Sequence, residues 1–171
     1  MPCPITLTGI SLGCKDNVGG VQEVYIIDKS KVLAVPTVVA NKITAISTGT
    51  DNFMVYNFKR NTSSLVSTPT INYENDTLYY SSVLSLKFNK LDTVKRTEFV
   101  NLAKGNLAAI VKDANGIYWY LGFDNEVSVT GGSATTGVAM GDMNGYEVQL
   151  TDLAKQLPYE VDSTIIAALI S

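Results

Sequence analysis

Two segments carry the residue types that bind ions. Asp142-Met143-Asn144-Gly145-Tyr146-Glu147 has the Asp, Asn and Gly of a calcium loop, and residues 131–141 have the small side chains of a phosphate cradle. A calcium loop needs a longer run of oxygen ligands, and here Glu147 arrives too early to close it. A phosphate cradle needs a Lys-Ser/Thr pair at its end or a parallel sheet wound with helices, and neither follows residue 141. The first segment therefore reads as an Asn-Gly turn opening a strand, and the second as a mobile loop. Asp113-Ala114-Asn115-Gly116 reads as another Asn-Gly turn.

Catalytic constellations are no stronger. There is no histidine, which excludes histidine metal sites and Ser-His or Cys-His nucleophile pairs. Cys3 and Cys14 cannot complete a zinc tetrahedron by themselves. A disulfide between them is sterically possible, but nothing else suggests secretion, so free thiols in a reducing cytoplasm are expected. The opening Met-Pro-Cys-Pro-Ile-Thr-Leu-Thr lacks the basic and long apolar regions of a signal peptide. Asp16, Asp28, Asp51, Asp76, Asp113, Asp124 and Asp142 fall in turns, where Asp bonds its own backbone. No enzyme, cofactor or metal is expected.

Two surface clusters remain. Tyr118-Trp119-Tyr120 with Phe123 has the makings of a sugar-stacking platform. In a strand, however, Tyr118 and Tyr120 share one face while Ile117, Trp119 and Leu121 share the other, which favours core or subunit contact. Lys59, Arg60, Lys87 and Lys90 form a basic spot with two readings: edge charge that discourages strand pairing, or a docking contact for an acidic patch.

The elements that must position these residues are mostly strands. The 171 residues make one domain (1–171), with 46% apolar and 17% charged residues and a net charge of −3. That balance lacks the basic footprint of a nucleic-acid binder. The longest apolar run, Ile165 to Ile170, falls far short of the roughly 20 residues of a membrane span, so no membrane partner is expected. Strands are predicted over 21–27, 32–35, 42–48, 52–59, 65–73, 77–89, 107–112, 117–123 and 145–153, with a short edge strand at 126–130. A helix follows Asp92, with Leu91, Val94, Phe99, Leu102 and Ala103 apolar and Gly105 as its stop. Residues 162–171 read either as a short helix capped by Asp162 or as an apolar tail.

The 77–89 run is the clearest of these. Leu78, Tyr80, Ser82, Leu84, Leu86 and Phe88 alternate with Thr77, Tyr79, Ser81, Val83, Ser85 and Lys87. At about 3.3 Å per residue it reaches roughly 43 Å, longer than a domain of this size needs. With 65–73 and the turn Glu74-Asn75-Asp76 it predicts a long projecting hairpin.

Three phrases, set in this order of elements, resemble a known family. They are Gly13-Cys14-Lys15-Asp16-Asn17-Val18-Gly19-Gly20-Val21 leading into Glu23-Val24-Tyr25-Ile26, Val111-Lys112-Asp113-Ala114-Asn115-Gly116-Ile117-Tyr118-Trp119-Tyr120-Leu121-Gly122, and Thr136-Gly137 through Gly145-Tyr146-Glu147-Val148. The chain resembles the tail tube proteins of long-tailed bacteriophages, in the style of those from phages of gut Bacteroidetes. By fold it resembles the tube proteins of contractile injection and type VI secretion systems.

The resemblance implies a mainly β fold: a β-sandwich or barrel of tail-tube type with one flanking α-helix and a long projecting hairpin. It implies a structural virion protein, assembled in the bacterial host cytoplasm, whose hexameric rings stack into a conduit for genome ejection. Its partners would be sister copies and other tail proteins (tape measure, sheath or terminator), with DNA passing through the lumen unbound. Thr77, Tyr79, Ser81, Val83, Ser85 and Lys87 would face the inner barrel or a subunit interface. Lys59, Arg60, Asn61, Thr62, Ser63 and Ser64 would form the ring-stacking loop. A head–tail connector or tail-terminator ring is the related alternative. A monomeric ligand- or carbohydrate-binding β-barrel using Tyr118, Trp119 and Tyr120 is the alternative of another class.

Overall fold

Period-2 alternation decides most of the architecture. The computed structural model describes residues 7–59 and 61–170. Its strands are β1 (Val21–Asp28), β2 (Thr37–Val39), β3 (Lys42–Ala45), β4 (Met54–Asn57), β5 (Ser64–Asn72), β6 (Thr77–Asn89), β7 (Leu107–Asp113), β8 (Tyr118–Leu121), β9 (Ser128–Thr135), β10 (Gly145–Ala154) and β11 (Tyr159–Val161). Two helices, α1 (Thr93–Lys104) and α2 (Ser163–Leu169), complete the chain. The protein is mainly β, in two sheets. The larger runs β2-β3-β11-β8-β7-β1-β4 and the smaller β5-β6-β10-β9.

The sheets share one apolar layer. Val24 and Ile26 of β1, Ala109 and Val111 of β7, Leu84 and Leu86 of β6, and Val148 and Leu150 of β10 meet in it. The opposite parity of the larger sheet forms a second layer: Tyr25, Ile27, Ile110 and Tyr120 pack with Phe53 and with Ile166 and Leu169 of α2. β7 is therefore buried on both sides, which accounts for its unbroken Leu-Ala-Ala-Ile-Val run.

Both helix starts follow their caps. The Asp92 carboxylate accepts from the Lys95 amide at 2.8 Å and that of Asp162 from the Thr164 amide at 3.0 Å, so 163–169 is a helix and not a tail. Of the apolar residues expected to bury one side of α1, only Leu102 is fully buried, with Phe99 packed beside it. Val94 and Ala103 are exposed.

Four strand expectations are corrected. Residues 32–35 are not a strand: the Asp28 carboxylate accepts from the Ser30 amide and starts a 3-10 turn at Lys29–Lys31, and Leu33 and Val35 stay exposed. Pairing resumes after Pro36, in β2. The 42–48 and 52–59 runs shorten to β3 and β4, the chain between them turning at Gly49 with a left-handed φ of 63°. The edge strand expected at 126–130 runs on through Thr135, so the supposed loop begins five residues late. A Cβ on Gly132 would stand 2.7 Å from the Glu147 carbonyl oxygen and 3.1 Å from the Phe99 ring. Its absence lets β9 pair with β10 beneath α1.

Candidate functional site

The four-stranded sheet gathers most of the residues singled out above. β6 lies inside it, paired with β5 on one side and with β10 from Asn89↔Gly145 to Tyr80↔Ala154 on the other. From Tyr80 to Asn89 its long edge is thus covered within the chain, and the outer edges of this sheet belong to β5 and β9. Thr77, Tyr79, Ser81, Val83, Ser85 and Lys87 share the face turned away from the apolar layer, as their parity requires. Register adds Ser64, Val66, Thr68 and Thr70 of β5 and Glu147, Gln149, Thr151 and Leu153 of β10 to that face. Its only charges are Lys87 and Glu147, and these neutralise each other at 3.7 Å.

The inward face of the β5–β6 ribbon outruns its cover. Leu84 and Leu86 are fully buried, whereas Leu78 and its cross-strand partner Ile71, on the same side, are 52% and 55% exposed. Beyond Tyr80 the ribbon has lost its pairing with β10, and Tyr73 and Tyr79 stand exposed with Ile71 and Leu78. At the opposite end of the sheet, residues 136–144 are a fixed turn. Asp142 accepts from the amides of Val138 (2.9 Å) and Ala139 (2.8 Å), which hold its carboxyl below the ordinary range. The carboxylate that suggested calcium is therefore engaged by its own loop. That loop presents Val138 and Met140 fully to solvent.

The loop expected to stack rings shares this second end. Lys59 and Asn61 are exposed, the Thr62 hydroxyl donates to the Lys59 carbonyl, and Arg60 lies outside the described residues. Ser63 is buried and Ser64 already belongs to β5, so these two do not form part of a free loop. The basic spot is also smaller than expected, because Lys87 is paired with Glu147. Cys14 is exposed, and Cys3 lies outside the described residues.

Tyr118, Trp119 and Tyr120 do not make one platform. Trp119 packs in the layer between the sheets while Tyr118 and the fully buried Tyr120 belong to the other layer. Asp113 ties this region together. It accepts from the amides of Asn115 and Ile117 at 2.9 Å each and from the Trp119 indole at 3.1 Å. Asp113→Ala is expected to lower stability by about 1–3 kcal/mol and shift Trp119 emission, read by denaturant titration followed through fluorescence.

One buried polar seam escaped the sequence reading. Asp152, 2% exposed, accepts from the Gly122 amide at 2.9 Å, while its other carboxylate oxygen and the Tyr120 hydroxyl are buried without partners. Lys29 donates to the Gly122 carbonyl, and Ser82 is bonded to Ser67 alongside. The signal was its parity: Tyr146, Val148 and Leu150 place residue 152 facing inward. Burial raises the Asp152 carboxyl above its usual range, and Asp124 adds to this, against the Gly122 amide and Lys29. A raised carboxyl pKa means the folded state holds its proton longer than the unfolded chain, so this group costs stability as pH rises through the shifted value. Asp152→Asn is therefore expected to gain stability relative to the parent as pH rises from the carboxylate range to neutrality, checked by paired denaturation curves across that interval.

Comparison of the chain with protein-family models, curated proteins and solved structures found no match. Among the described residues, no helix is long and apolar enough to cross a membrane.

Proposed function

We propose that the protein is a self-assembling tail tube subunit: a structural virion protein whose six-membered rings stack into a conduit for DNA. The observation that carries this reading is the ribbon end at Ile71, Tyr73, Leu78 and Tyr79, whose side chains are left 41–86% exposed among the described residues. Exposed apolar groups clustered on an ordered element are the signature of a contact surface.

Two further features support the reading. The outward face of the smaller sheet is built of hydroxyl, amide and small apolar groups with one internally neutralised ion pair. Such a wall is hydrated and offers DNA phosphates no free cation to grip. The open edges of β5 and β9 lie at opposite sides of the same sheet, so edge-to-edge pairing propagates from copy to copy and closes as a ring. Four strands from each of six copies give a twenty-four-stranded barrel, about 48 Å across its backbone for a strand spacing of ~4.8 Å and a tilt of ~40°. That width leaves room for a duplex.

Apolar groups at both ends of the sheet favour stacked rings over a lone connector or terminator ring. Ile71, Tyr73 and Leu78 of one copy face one way; Val138 and Met140 face the other. Contacts of this head-to-tail kind continue indefinitely along an axis. Sedimentation tests the assembly: species of six chains and multiples of six are expected, and a chain that stays monomeric at high concentration counts against the proposal.

A further inference from the structure

The segment leading into β1 is exposed throughout and begins with apolar side chains. Leu7, Ile10 and Leu12 stand essentially fully in solvent, at 86%, 103% and 102% exposure. Ile10-Ser11-Leu12 has strand alternation, and Gly9 before it takes a left-handed φ of 73°. The segment is anchored only from Asn17 onward: Asn115 accepts from the Val18 amide at 2.9 Å and donates to Asn17 at 2.8 Å. This anchor sits at the turn joining β7 to β8, on the side of β1 away from β4.

The same domain leaves open a place of matching chemistry. Over Met54–Asn57, β4 pairs with β1 alone, and its other edge is open from Met54 onward, bounded on the near side by Phe53, whose amide donates to the Leu169 carbonyl at 2.8 Å and which bridges to Ile170. Its register puts Met54 and Tyr56 on the side of the sheet that faces α1 and Val55 on the other. Between this edge and α1 runs a groove of about 440 Å³, floored by Met54, Tyr56, Phe99 and Leu102 and rimmed by the exposed Val94. It continues past Glu98 into a further hollow of about 320 Å³.

We infer that residues 7–12 of one copy add as a strand to the free edge of β4 on a second copy, with Ile10 and Leu12 turned into the groove beneath α1. The arm supplies backbone groups that the edge lacks, and the groove takes the apolar side chains that water now surrounds. The domain completes both apolar layers without its arm, and the anchor at Asn115 leads the arm off the far side of β1. Each copy brings one arm and one groove, so a sister chain satisfies both in equal number. The inference rests on the self-assembly part of the proposal above and not on the tube.

Cross-linking tests it. In a Cys3→Ser, Cys14→Ser background, one chain carries Ser11→Cys and another Val55→Cys. These two positions share the face away from α1 in the inferred pairing. Co-expressed in equal amounts and treated with a short bismaleimide, the two are expected to join as a dimer band holding up to about half of the chain, the share that random mixing allows. Adding Met54→Lys to the second chain lowers that yield about tenfold, because a charge enters the groove without an apolar cost to the folded domain. A missing dimer band from a sample that still sediments near six copies overturns the inference and leaves self-assembly standing. A missing band from a monomeric sample overturns both. A chain bearing both cysteines that links only to itself shows the arm folding back on its own groove, and also overturns the inference.

Discussion

Gly145→Ala is expected to be the most damaging single-methyl change in the protein. A Cβ at this position would lie 2.1 Å from the Phe88 carbonyl oxygen and 3.0 Å from the Asn89 Cα, both backbone atoms of β6 that cannot rotate away. The approach is close because the chain is drawn in on both sides. The Lys90 amide donates to the Asn144 carbonyl at 2.6 Å, and the Leu91 amide to the Asn144 side chain at 2.9 Å. Relief requires β10 to move off β6, which opens the apolar layer at Phe88 and Tyr146 beneath α1. A loss of about 3 kcal/mol or more follows from overpacking of this kind. For a chain of this length, that lowers the melting temperature by about 6–12 °C. Gly141→Ala is the control: nothing lies within 4 Å of its Cβ, and thermal denaturation is expected to leave it within about 0.5 kcal/mol of the parent.

The second large effect falls on assembly and spares the fold. Ile71 and Leu78 face each other across the last rungs of the ribbon and are half-exposed in the single chain. Ile71→Ser with Leu78→Asp removes the exposed half of this apolar pair along with the half the chain itself buries, so the domain is expected to stay folded with a loss of about 1–3 kcal/mol by denaturant titration. Burying the new carboxylate unpaired at a ring-to-ring contact is costly, and stacked species are expected to fall at least a hundredfold by sedimentation. Loss of stacking together with unfolding would instead make this ribbon end part of the domain's own stability.

The elements most legible in the sequence were those with a period and two punctuation marks. The β6 limits follow from thirteen residues of alternation between Asp76 and Lys90, both in left-handed conformations in the structure. α1 follows from Asp92 and Gly105. What the sequence could not reveal depends on neighbours. Val32 to Val35 has strand composition but no ladder to join, because Asp28 spends its carboxylate starting a turn. Gly131 and Gly132 look like a loop until Gln149 is seen beside the first and Phe99 and the Glu147 carbonyl in the space a side chain on the second would fill. The polar seam around Asp152 was written only in parity, since the partners Gly122 and Lys29 come from distant strand ends. Of the candidate surface, the face shared by Thr77 through Lys87 was readable from alternation. The shortfall of cover beyond Tyr80 was not, because it depends on where β10 stops.

Electron microscopy of the purified protein, in negative stain and then at low temperature, bears most directly on self-assembly. Six-fold rings are expected, with a bore set by a backbone barrel of about 48 Å, stacked along their axis, with β5 of each copy beside β9 of the next. Isolated particles of one chain under assembling conditions, or rings in which the four-stranded sheet faces outward, would contradict it.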